Sequence, residues 1–95
     1  MTHEGKVKEQ VKKLLKAFGV YYHMPVQNGF GKMSLDFVAC HRGFFIAIET
    51  KKPRGKPTPR QLQTMAEMEA AGAFVFLVSC ERELAIVRAY LELLN

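Results

Sequence analysis

Along residues 4–18 the apolar side chains Val7, Val11, Leu14, Leu15 and Phe18 recur at three- and four-residue intervals, which predicts an amphipathic helix stopped by Gly19. Residues 20–24 read as a short β run closed by Pro25, and residues 27–32 as a polar, glycine-bearing loop able to move. Residues 34–40 and 44–51 are both β-rich, and His41-Arg42-Gly43 between them is short enough for an antiparallel hairpin. The segment KKPRGKPTPR that follows holds three prolines and five basic residues, which excludes regular structure. Thr58 then predicts the cap of a second helix, with Pro59 in its first turn, Leu62, Met65, Ala66 and Glu69 along one side, and Gly72 at its end. Residues 74–78 form an apolar run of the kind buried on both faces of a sheet. Ser79 is the expected cap of a last helix, with Glu81 in its first turn and Leu84, Val87, Leu91 and Leu94 on one face. The order is αβββαβα, an α/β domain with a mixed central sheet flanked by helices. No repeat, low-complexity tract or linker divides it, so residues 1–95 read as a single domain.

Composition narrows the class. With 48% hydrophobic and 24% charged residues, the chain is neither a disordered tail nor a disulfide scaffold. A core built from 95 residues is modest, which favours added stability from self-association. The formal charge of +5 suits a polyanionic partner, since lysine and arginine displace the counterions condensed on a phosphate backbone. Cys40 and Cys80 fall in or beside apolar runs and are expected as buried thiols in a reducing compartment. The N-terminal segment has no apolar leader and no run is long enough to span a bilayer, so a cytoplasmic location is expected. Neither zinc-ligand spacing nor a nucleotide-cradling glycine motif occurs.

The candidate chemistry lies in residues 45–61, FIAIETKKPRGKPTPRQ, read together with Asp36. Strand side chains alternate, so Glu49 and Lys51 point the same way at a strand end, and a hairpin partner in register brings Asp36 beside them. An isolated E-x-K triplet is common and is usually an exposed pair. Here, however, Glu49 follows FFIAI and Asp36 interrupts LDFVAC, where burial is expected to be deep. An unpaired carboxylate in such surroundings costs several kcal/mol, and two together call for a cation. Two carboxylates and an ammonium arranged in this way hold a hard divalent ion, Mg²⁺ or Mn²⁺, against a phosphate and orient a water for attack. The stiff basic loop carrying Lys52, Arg54, Lys56 and Arg60 leaves the same strand end and suits a clamp on a nucleic-acid backbone, with Lys32 as a further contact.

These residues resemble the PD-(D/E)xK nuclease superfamily and, within it, the stand-alone VRR-NUC domains of viral replication and repair proteins. The resemblance runs through Glu4, Asp36, the Glu49-Thr50-Lys51 triplet, the basic turn 53–57 and Gln61, and covers nearly the whole chain. One departure is that Leu35 stands where the family usually has a proline before the aspartate. The resemblance implies a restriction-endonuclease-like core, with Asp36, Glu49, Lys51 and Gln61 in catalysis. It also implies a metal held by Glu4, Asp36, Glu49 and the Thr50 carbonyl, and cleavage leaving a 5′-phosphate and a 3′-hydroxyl. For the helix-one carboxylate both Glu4 and Glu9 are candidates. Helical geometry favours Glu4, which shares the side of Val7, Val11 and Leu15, whereas Glu9 lies among Lys12, Lys13 and Lys16.

The activity expected on these grounds is metal-dependent, structure-specific DNA endonuclease cleavage. A small catalytic core surveys DNA best as a homodimer, and Ile86, Tyr90 and Leu93, left over on the last helix, suit such an interface. A symmetric pair of active sites fits a four-way Holliday junction. The competing readings are a nuclease acting on flaps or other branched DNA, and a non-catalytic nucleic-acid-binding module.

Overall fold

The computed structural model describes residues 1–26 and 32–95. The expected loop over 27–32 lies, apart from Lys32, outside the described residues. The elements follow the order αβββαβα: α1 (His3–Ala17), β1 (Tyr21–His23), β2 (Phe37–His41), β3 (Phe44–Thr50), α2 (Pro59–Ala70), β4 (Phe74–Val78) and α3 (Glu81–Leu94). They form one mixed four-stranded sheet in the order β1-β2-β3-β4, antiparallel as far as β3, with β4 parallel to β3.

Local chemistry accounts for the element ends. Thr2 caps α1 by accepting a bond from the Gly5 N–H at 3.0 Å. Gly19, at φ 69°, reverses the chain so that the Val20 N–H reaches the Leu15 carbonyl at 2.9 Å. Between β2 and β3 only Arg42 and Gly43 are unpaired, both at positive φ (51° and 85°), the backbone of a tight primed hairpin turn. That turn sets Phe37 opposite Ile48 and Ala39 opposite Ile46. One sheet face therefore carries Phe37, Ala39, Ile46, Ile48 and Val78, which pack against Val7, Val11, Leu14 and Leu15 of α1 and Val87 and Leu91 of α3. Each large aliphatic or aromatic side chain buried there contributes roughly 1.5–3 kcal/mol.

Several expectations are corrected. The strand expected over 34–40 begins only at Phe37, because the Thr50 N–H on the β2 side of β3 donates to the Asp36 carboxylate instead of a ladder carbonyl. The strand expected to Lys51 ends at Thr50. β4 is not buried on both faces: it is an edge strand, and Phe74 to Leu77 are half-buried. The inner side of α2 carries the buried Thr64 with half-buried Gln61, Met65 and Met68, whereas Leu62, Ala66 and Glu69 are exposed. Cys80, not Ser79, occupies the cap position of α3 and makes no side-chain capping bond. Instead Glu83 Oε1 accepts from the Ser79 N–H at 2.8 Å and the Ser79 hydroxyl at 2.6 Å. Cys40 and Cys80 are exposed free thiols, the first on the outward side of its strand and the second at a helix start. Among the described residues, no helix is long and apolar enough to cross a membrane.

Candidate active site

The carboxylates meet at the end of β3. Extending the ladder one step past the Phe37–Ile48 pair sets Asp36 across from Glu49. Asp36 is fixed by Thr50, whose N–H and hydroxyl both donate to its Oδ2, at 2.9 Å and 2.7 Å. Thr50 is fully buried, so the donor end of this pair of hydrogen bonds is shielded from water.

Glu49 is 3% exposed, deeper than an unpaired carboxylate tolerates. Burial pushes its pKa up from 4.5 to about 7 and the Asp36 charge adds to the rise. The Lys51 ammonium and a hydrogen bond from the Asp36 backbone oppose it, while Glu4 raises it a little further. Lys51 Nζ stands 3.7 Å from Glu49 Oε2. Glu49, Asp36 and Lys51 thus share one electrostatic site, and Glu4 lies close enough for its charge to be felt there.

The helix-one carboxylates separate as helical geometry indicates. Glu4 lies on the Asp36 side, where Lys8 Nζ stands 3.9 Å from Glu4 Oε2 and 3.9 Å from Asp36 Oδ1. Glu9 instead pairs with Lys12 at 3.1 Å on the outer face.

The basic loop is a constrained turn. The Gly55 N–H donates to the Lys52 carbonyl at 2.8 Å, with Pro53 and Arg54 as the central residues. Arg54 has φ 64°, a left-handed conformation that for a non-glycine residue costs roughly 1–2 kcal/mol. Gly55 is sterically required: a Cβ there would lie 2.9 Å from the Lys52 oxygen and 3.2 Å from Lys51 Cβ. The loop thereby packs back onto the residue that carries the site's ammonium. Lys52, Pro53 and Arg54 also share a shallow cleft with His3 at the start of α1.

Gln61 belongs to a capping box: its Oε1 accepts from the Thr58 N–H at 3.0 Å, and its own N–H donates to the Thr58 hydroxyl at 3.1 Å. With Oε1 so engaged, Nε2 is the end of this side chain suited to a phosphate oxygen. Lys56 and Arg60 are exposed. Lys32 pairs with Glu67 of α2 at 3.0 Å, and this bond holds the Glu67 carboxyl below its ordinary range. Lys32 and Arg60 line one groove along α2, apart from the 52–55 turn.

Sequence reasoning passed over three residues here. Lys8 carried a faint signal, its i+4 spacing from Glu4. The Thr50 side chain acts as the anchor of Asp36, a role that depends on the hairpin register. Gly55 is explained only by the close approach of backbone and Lys51.

No protein-family model matches the sequence, and no curated protein is similar to it. Among solved structures, one described as a VRR_NUC domain is similar with a TM-score of 0.81 and 26% sequence identity, across 95% of this chain and 99% of that one. This likeness over nearly the whole chain supports a VRR-NUC-type nuclease domain, and the order of helices and strands around the mixed sheet is consistent with a restriction-endonuclease-like fold.

Proposed function

We propose that this domain is a divalent-metal-dependent, structure-specific DNA endonuclease that works as a homodimer on branched DNA, with the four-way junction as its preferred substrate. The observation carrying this reading is Glu49: a carboxylate 3% exposed, beside Asp36 and 3.7 Å from an ammonium, at the strand end from which a stiff basic loop departs.

Among the described residues, no three His, Cys, Asp or Glu side chains are gathered as a ready cage for a metal. The donors nevertheless fit a hard cation in kind, because Asp36 and Glu49 adjoin, burial resists the charge on Glu49, and Glu4 stands on the same side. Asp36, Glu49, the Thr50 carbonyl and Glu4 would hold Mg²⁺ or Mn²⁺. When bound, such an ion neutralises charge on the scissile phosphate and acidifies water.

The rest of the work falls to the chain's own groups. Thr50 pins one oxygen of Asp36 and thereby aims the other. Lys51, tethered beside Glu49 and backed by Gly55, presents its ammonium to the attacking water or to the charge that develops on the phosphate. Gln61 Nε2 donates to the phosphate or the water. Lys52, Arg54, Lys56 and Arg60 hold the backbone, with Lys32 further along the groove. Cleavage on this scheme leaves a 5′-phosphate and a 3′-hydroxyl.

The test is cleavage of labelled four-way junctions, flaps and linear duplexes in Mg²⁺, Mn²⁺ or EDTA. Junctions are expected to be cut fastest, with activity lost in EDTA and reduced at least a hundredfold by Asp36→Ala and by Lys51→Ala, each of which removes roughly 3 kcal/mol of transition-state stabilisation. Preferential cutting of flaps would transfer the reading to a flap nuclease. Metal-independent binding without cleavage of any substrate would reduce the domain to a binding module.

A further inference from the structure

Lys8 lies one helical turn beyond Glu4, and its Nζ stands 3.9 Å from both Glu4 Oε2 and Asp36 Oδ1. It joins helix one to the Asp36 carboxylate just ahead of β2. Both separations are about 1 Å longer than a charge-assisted hydrogen bond, so the ammonium is held by the field of two carboxylates and not by directed bonds. Its side chain is 33% exposed, leaving water a way in to replace it.

The two oxygens of Asp36 are not equivalent. Oδ2 takes both Thr50 bonds, at 2.9 Å and 2.7 Å, while Oδ1 faces Lys8. The oxygen left for a cation is the one on which Lys8 sits.

We propose that Lys8 is an internal counter-cation, a positioning residue that neutralises Glu4 and Asp36 while no divalent ion is bound and yields its place when one arrives. The inference rests on the metal-dependent reading above. It differs in sign from a scaffold role: a lysine that holds the carboxylates in their ligating geometry would weaken metal binding when removed, whereas a competing cation strengthens it.

The experiment is calorimetric titration of the full chain with MnCl₂, comparing wild type, Lys8→Met and Lys8→Arg, with Lys8→Gln as a second neutral variant should the methionine fail to fold. The neutral variants are expected to bind Mn²⁺ roughly two- to thirtyfold more tightly, the range set by loss of two partly exposed ion pairs. Lys8→Arg, which keeps the charge, is expected to stay near wild type. Melting temperatures in EDTA should fall in the neutral variants, while the rise on adding Mn²⁺ should grow. Binding by wild type together with equal or weaker binding by the neutral variants would overturn the counter-cation role and leave metal dependence standing. Absence of Mn²⁺ binding by wild type would overturn both.

Discussion

Burial of Glu49 at the end of β3 sets folding against ionisation, because the carboxylate that a metal would need is the one the fold favours protonated. Its folded pKa of about 7 lies above the unfolded value of 4.5. Below the unfolded value both states carry the proton, and the fold keeps its full stability. As pH rises from there through the folded value, the unfolded chain ionises first and stability is lost, by about 3 kcal/mol at most. In EDTA, Glu49→Gln is therefore expected to be more stable than wild type at pH 8 and to lose that advantage towards pH 4.5, as read from urea midpoints at the two pH values. Equal midpoints at pH 8 would mean that burial does not oppose the charge. The same substitution is expected to abolish cleavage, so stability and activity move in opposite directions at one residue.

The element that decides placement is the segment leaving β3. Pro53 stiffens the turn, Arg54 sits in a left-handed conformation, and Gly55 lets the Lys52 carbonyl and Lys51 Cβ come close. Adding a methyl group at Gly55 puts it 2.9 Å from a backbone oxygen, so the turn itself must move. Gly55→Ala is expected to slow junction cleavage by roughly tenfold to a hundredfold, since an ångström of misplacement at a catalytic group is enough for that. Junction affinity, spread over several basic side chains, should change far less. A cleavage rate equal to wild type would separate the turn from Lys51. On the far side of the turn, the Thr58–Gln61 box starts α2 and ties Gln61 to the same stretch of backbone.

At the scale of the whole molecule, the sheet leaves β4 at its edge and α3 outside it, and α3 is divided between two roles. Val87 and Leu91 are buried in the core, whereas Ile86, Tyr90 and Leu93 are exposed, Leu93 at 81%. Tyr90 is partly used within the chain, its ring packing on Phe74 and Phe76 at centroid distances of 5.8 Å and 5.1 Å. Leu93 and Ile86 are thus the better tests of the proposed interface. Sedimentation of wild type at micromolar concentration is expected to give a dimer, and Leu93→Glu with Ile86→Glu a folded monomer that no longer makes paired cuts across a junction. A wild-type monomer would remove the case for symmetric resolution.

The residues themselves determined the element order, the carboxylate and ammonium types at the end of β3, and the basic turn that follows. Each of these depends on periodicity, capping chemistry or proline and glycine content within a few neighbouring positions. The separation of Glu4, on the Asp36 side of α1, from Glu9, paired with Lys12, was legible as well, because 3.6-residue geometry parts them on one helix. Tertiary structure alone decided what depends on distant segments meeting. The Thr50 amide reached the Asp36 carboxylate and delayed the start of β2 to Phe37, because a carboxylate outside the strand outcompeted a ladder carbonyl. β4 became an edge strand with half-buried side chains, since an apolar run records that a segment is buried but not how many neighbours bury it. Lys8 met Asp36 across 28 positions of chain, a contact set by the docking of α1 on the sheet that no local pattern encodes.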